Sequence, residues 1–166
     1  MVMTEAEFDV EAAARSLREQ LDNLIERFRG ETVLYEGDGA PELVAEVRNA
    51  LDQECSALLS VYPEECLRKA VLMTFDDSLR LPIHLACDKN ASLSVLRRLI
   101  EADTEKLSIA TPDKWGDIPL HTACSRKQTE VVKLLVESDV SQTSVFVRSD
   151  NGSLPLHSVS APCKDD

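Results

Sequence analysis

The chain has 166 residues, 43% of them apolar and 4% aromatic, which suits one domain or one elongated array with an aliphatic core and disfavours a β-sandwich. Its formal charge of −12 is concentrated at the front: residues 1–66 carry 16 Asp and Glu against 5 Lys and Arg, whereas residues 67–166 carry 14 against 13. An acidic front repels nucleic acid and anionic membrane, and no run approaches the roughly 18–20 apolar residues of a membrane span.

The opening "MVMTEAEFDV" carries acids where a leader peptide would carry positive charge. A soluble cytoplasmic protein is expected, with the nucleus left open. Within this stretch Thr4 and Glu7 have the spacing of a capping box, and Met3 and Phe8 that of a hydrophobic staple. Val10, Ala14, Leu17, Leu21, Leu24 and Phe28 then follow at alternating steps of four and three, with Arg27, Arg29 and Gly30 as a C-terminal signal. These features predict an amphipathic helix over about 5–29 and a linker over 31–39. The helix has three readings: a cover for the exposed end of an array, a coiled-coil dimer, or a docking helix for a partner. The cover is the default, because an array end exposes apolar surface.

"PELVAEVRNAL" and "CSALLSVYPEECLRKAV" follow, with a Tyr-Pro break. Residues 41–75 are expected to form one interrupted helix or a helix pair, an eroded unit stacked on what comes next.

The second half repeats itself. "LPIHLAC" (Leu81–Cys87), "IPLHTAC" (Ile118–Cys124) and "LPLHSVS" (Leu154–Ser160) place His84, His121 and His157 at intervals of 37 and 36 residues, a period diagnostic of repeat arrays. Proline sits in the first turn of a short helix, where its missing N–H costs nothing. After it come the stripes Val95, Leu96, Leu99, Ile100 and Val131, Val132, Leu135, Val136, each one face of a second helix. The intervening turns need a left-handed residue, for which Asn90 is suited and Lys127 must serve. "TPDKWGD" and "VRSDNGS" between units read as projecting, hairpin-like loops. After "LPLHSVS" no second helix follows, so the last repeat is truncated or the chain is a fragment.

Residues 81–160 resemble the ankyrin repeat, whose motif is a turn glycine, then Thr-Pro-Leu-His-x-Ala-Ala, then a second helix. The sequence departs from it in three ways. Leu81, Ile118 and Leu154 replace the threonine, removing its hydroxyl hydrogen bond. The period exceeds the usual 33 or so residues, an excess placed after the second helix. Leu79 stands where the turn glycine belongs, and the first unit has an extra residue near Asn90. The fold class is all-α, a short ankyrin-type helical solenoid with an N-terminal helical extension. Its domains are residues 1–40 (acidic helix and linker) and 41–166 (array). The array divides into a degenerate repeat 41–75, repeats 76–112 and 113–148, and a truncated repeat 149–166.

His-x-x-Cys in the first two units suggests metal or nucleophile chemistry. Equivalent helices of a stack stand about 8–10 Å apart, too far for two histidines to share a metal with bonds near 2 Å. The histidines and cysteines are therefore read as architecture. Cys55, Cys66, Cys87, Cys124 and Cys163 are read as reduced, mostly buried thiols; no cofactor, metal or catalytic group is assigned.

Trp115 at a loop tip reads either as an interface anchor or as a ring folded onto the neighbouring loop. Lys89, Arg126 and Lys127 read as solvated charge or, less favoured, as a basic strip. The resemblance implies a non-catalytic module, a monomer that binds another protein. Its implied contacts are Asp113, Lys114, Trp115, Asp117, Asp150, Asn151 and Ser153 on the loops, and Leu85, Asp88, Lys89, Thr122, Ser125 and Arg126 on the first helices. The alternative is a structural self-assembly protein paired through the N-terminal helix.

Overall fold

A computed structural model describes residues 9–35, 41–74 and 77–159. The first helix, α1 (Val10–Tyr35), starts at Asp9, whose Oδ1 accepts from the backbone N–H groups of Glu11 and Ala12, both at 3.1 Å. This corrects the expected start near residue 5; the Thr4–Glu7 box and the Met3–Phe8 staple lie outside the described residues. The expected stop at Gly30 is also corrected, since α1 continues to Tyr35 and takes in the first part of the expected linker. A glycine inside a helix costs about 1 kcal/mol relative to alanine, which a helix of this length can absorb.

The remaining helices are α2 (Pro41–Val61), α3 (Glu64–Val71), α4 (Pro82–Asp88), α5 (Leu93–Ala102), α6 (Leu107–Ala110), α7 (Pro119–Ser125), α8 (Thr129–Ser138) and α9 (Pro155–Ser158), with a 3₁₀ turn at Ser144–Phe146. Residues 41–71 are a helix pair broken at Tyr62-Pro63, and no strand occurs among the described residues. In each unit the first helix opens with proline and closes on a left-handed residue, Asn90 (φ 55°) or Lys127 (φ 57°). Ser92, which caps α5 by accepting from Val95 N–H at 3.3 Å, occupies the extra position of the first unit.

The lengthened period lies after the second helix. Asp103 and Asp139 end α5 and α8, and each carboxylate reaches five residues ahead to accept from the N–H of Ser108 (2.7 Å) or Ser144 (2.8 Å). Lys106 and Gln142 supply the left-handed residue inside these closed loops. α6 and the 3₁₀ turn are the added structure.

First helices pack on first helices, α4 on α7 and α7 on α9, while α5 packs on α8. α1 packs on α4 and α2 on α5, so α1 and α2 stand before α4 and α5 much as those stand before α7 and α8. One apolar cluster runs from Leu21, Ile25 and Phe28 through Leu51, Ile83, Leu96 and Leu99 to Leu120 and Leu135, crossing the boundary expected at residue 40. α3 fills the angle between α1 and α5, where Cys66 and Ala70 meet Ala14 and Leu17. Ala14, Leu17, Leu21, Ile25 and Phe28 of the α1 stripe are therefore buried inside the chain.

Two expectations follow. Leu135 is fully buried, so Leu135→Ala should cost roughly 2–5 kcal/mol in urea unfolding. Leu79 is held at φ 56°, the left-handed position that Gly116 and Gly152 fill in the later units. Leu79→Gly should therefore raise stability by about 0.5–1 kcal/mol, the relief of strain exceeding the added freedom of the unfolded chain.

Candidate protein-binding surface

The surface begins at the starts of the first helices, where backbone N–H groups need partners. Without a hydroxyl at the cap, the histidine three residues on supplies the acceptor. His84 Nδ1 accepts from Leu81 N–H (3.1 Å), His121 Nδ1 from Ile118 N–H (3.2 Å), and His157 Nδ1 from Leu154 N–H (3.3 Å). The opposite ring nitrogen then carries the proton, and it donates to the next loop: His84 Nε2 to Asp117 O (3.2 Å), His121 Nε2 to Ser153 O (3.1 Å). Both rings are buried with both nitrogens engaged, which leaves them unavailable as metal ligands.

Each loop is a tight hairpin. Asp113 N–H donates to Asp117 O (2.9 Å), and Asp113 Oδ1 accepts from the N–H groups of Trp115 (2.9 Å) and Asp117 (3.0 Å). In the next loop Ser149 N–H donates to Ser153 O (3.0 Å), and Asn151 Oδ1 accepts from the Ser149 hydroxyl (2.7 Å) and Ser153 N–H (2.8 Å). Successive loops are tied together by Lys114 N–H to Ser78 O (2.9 Å) and Asp150 N–H to Trp115 O (3.0 Å). Gly116 permits the second tie: its φ is 75°, and a Cβ there would lie 2.7 Å from the Asp150 backbone nitrogen.

Residues 83–161 match the family profile described as ankyrin repeats, in three copies. These residues are ankyrin repeats. No curated protein matches the sequence. Ankyrin repeats generally mediate protein–protein interaction.

On this ankyrin array the expected contact residues separate into two groups. Lys114, Trp115, Asp150 and Asn151 stand exposed at the loop tips. Trp115 is 51% exposed, and the Arg80 guanidinium lies 5.5 Å from its ring centroid, so the ring is partly covered and partly open. Leu85, Thr122 and Ser125 are half-buried along the first-helix face. Asp113 is buried, and Asp117 and Ser153 spend their carbonyls on the histidines.

The charged members of the helix face are engaged with one another. Asp88 accepts from Arg126 (2.6 Å) and lies 3.7 Å from both Arg80 and Lys89, while Lys89 reaches Glu26 of α1 at 2.9 Å. Burial alone would raise the Asp88 carboxyl, but Arg126, backed by Arg80 and Lys89, outweighs it and holds the group below its ordinary range. Lys89 and Arg126 thus belong to an ion-pair network between units and not to a free basic strip.

Three residues that sequence reasoning missed organise this surface. Arg80 joins Asp88, Asp113 and Trp115. Gln128 Nε2 donates to Cys87 O (2.7 Å) and Asn90 Oδ1 (3.1 Å), tying the turn of one unit to that of the previous one. Arg18, 1% exposed and ion-paired with Asp22, donates to Met73 O (3.0 Å) and Arg80 O (3.1 Å), clamping α1 onto the connection before α4. Nothing in the residue pattern of any of them recurs from unit to unit. Cys55, Cys66, Cys87 and Cys124 are free and buried, and burial pushes the Cys55 thiol up to about 12, which removes nucleophilic character.

Burial lowers His84 from 6.5 to about 4. The unfolded chain therefore binds a proton that the folded chain refuses, and stability is lost as pH falls from about 6.5 towards about 4. Urea unfolding at points from about pH 6.5 down to about pH 5 should show a slope approaching 1 kcal/mol per pH unit that diminishes in His84→Gln.

Proposed function

We propose that this protein is a non-catalytic, cytoplasmic binding module that holds another protein against its loop tips and the adjoining first-helix face. The observation that carries the reading is Trp115: a large, half-open aromatic ring on a loop tied by backbone hydrogen bonds to the loops before and after it. A rigid aromatic anchor loses little freedom on binding, and tryptophan ranks first among residues that dominate interfaces. Lys114, Asp150 and Asn151 surround it as the polar rim, and Leu85, Thr122 and Ser125 supply the shallower helix face. Asp88, Lys89, Arg126, Asp113, Asp117 and Ser153 contribute by holding that surface in shape. Dimerisation through α1 has little to draw on, because Leu17, Leu21, Ile25 and Phe28 are already buried within the chain.

Photo-crosslinking amino acids placed at positions 114 and 150 should trap the same protein from lysate, and crosslinkers at 97 and 133, exposed on α5 and α8, should not. Trp115→Ala should weaken that capture about tenfold or more, with the thermal midpoint little changed. Capture through positions 97 and 133 instead, or capture indifferent to Trp115, contradicts the proposal.

A further inference from the structure

We infer, on the reading of Trp115 as the anchor, that Arg80 is its positioning residue: the guanidinium holds the indole in one orientation at the loop tip before a partner arrives. The guanidinium carbon lies 5.5 Å from the ring centroid, within the roughly 6 Å over which the negative face of an aromatic ring attracts a cation. Asp113 reaches both residues, since its Oδ1 accepts from Trp115 N–H at 2.9 Å and its Oδ2 lies 3.7 Å from Arg80 Nε. The backbone and the ring of the tryptophan are therefore gripped by one pair of side chains. Arg80 is itself held in place. Its carbonyl accepts from Arg18 Nη2 at 3.1 Å, the loop just before it is tied to the next by Lys114 N–H to Ser78 O at 2.9 Å, and Asp88 stands 3.7 Å from its Nη1.

Stacking of the units does not require this grip. The backbone tie between loops occurs at both junctions, as Lys114 N–H to Ser78 O and as Asp150 N–H to Trp115 O. At the second junction the positions of Arg80 and Trp115 are taken by Asp117 and Asn151, which offer neither a cation nor a ring, and the register is the same. Nor is Arg80 placed for its ion pairs. Its Nε is buried with no hydrogen-bond acceptor, and the Asp88 and Asp113 oxygens that face it stand at 3.7 Å, beyond hydrogen-bond reach. What the position does give is a restrained tryptophan. An indole free to turn at a loop tip loses that freedom on binding, whereas one already held loses little, so Arg80 strengthens binding without needing to touch the partner.

Trp115 is the sole tryptophan, so fluorescence of the whole chain reports this ring alone. Time-resolved anisotropy of the natural protein should show the indole turning with the molecule. Arg80→Met, which keeps the stem and removes the guanidinium, should add a fast component of local motion and raise quenching by acrylamide, and Arg80→Lys, which restores a cation, should recover part of both. As a measurement free of substitutions, the Arg80 side-chain protons of the natural chain should show through-space contacts to the Trp115 ring and be displaced upfield by it in the NMR spectrum. In crosslinking capture from lysate through position 150, Arg80→Met should weaken recovery of the trapped protein about two- to tenfold, the effect of immobilising one side chain on binding. In a Trp115→Ala background the same substitution should add nothing. A ring that moves as freely with Arg80 as without it overturns the inference and leaves Trp115 as the anchor. So does a loss from Arg80→Met that persists in full without Trp115, since Arg80 would then touch the partner itself. Capture indifferent to Trp115 instead removes the reading of the anchor, and the role of Arg80 with it.

Discussion

The structure depends on one imidazole ring used twice. A helix of seven residues such as α4 or α7 has no stability of its own and begins with N–H groups that need acceptors. His84 and His121 provide that acceptor through one nitrogen and reach the following loop through the other, so the start of one helix and the position of the next unit are fixed by the same side chain. Both bonds require the neutral ring in a single tautomer, and burial enforces that state for His84. Helix initiation and unit-to-unit spacing cannot vary independently here.

Around that bridge the polar groups are arranged so that the charges of the first-helix face satisfy each other. Arg80, Asp88 and Arg126 connect successive units, and Lys89 with Glu26 ties the array to α1. Exposed ion pairs contribute little each, but Asp88 and Lys89 are largely shielded, and their orientation is set by several partners at once. What is left exposed is the row of loop tips, held in register by backbone bonds, one of which depends on the absence of a side chain at Gly116.

The repeat was legible because proline, histidine and the aliphatic stripe each have a local physical cause that recurs at a fixed interval. The left-handed positions Asn90 and Lys127 could be named for the same reason, and so could the place where the longer period is accommodated. Helix ends were less legible: Gly30 reads as a stop signal, yet α1 continues through it to Tyr35. For the candidate surface the resemblance supplied loop and first-helix residues, but not how the charged ones pair. Asp88 and Arg126 are 38 residues apart, and Lys89 and Glu26 belong to different segments, so no local pattern announces either pair. Arg18 was invisible for a different reason. Hydrophobic periodicity assigns a charged residue to solvent, whereas here two main-chain carbonyls and Asp22 replace the water that burial removes.

That arginine has an evolutionary consequence. Two of its hydrogen bonds go to backbone carbonyls of the connection before α4, Met73 O and Arg80 O, one at each end of the segment. A carbonyl is present whatever residue bears it, so these two bonds themselves make no demand on the side chains at positions 73 and 80. Substitution at position 73 would therefore leave this seat of Arg18 in place.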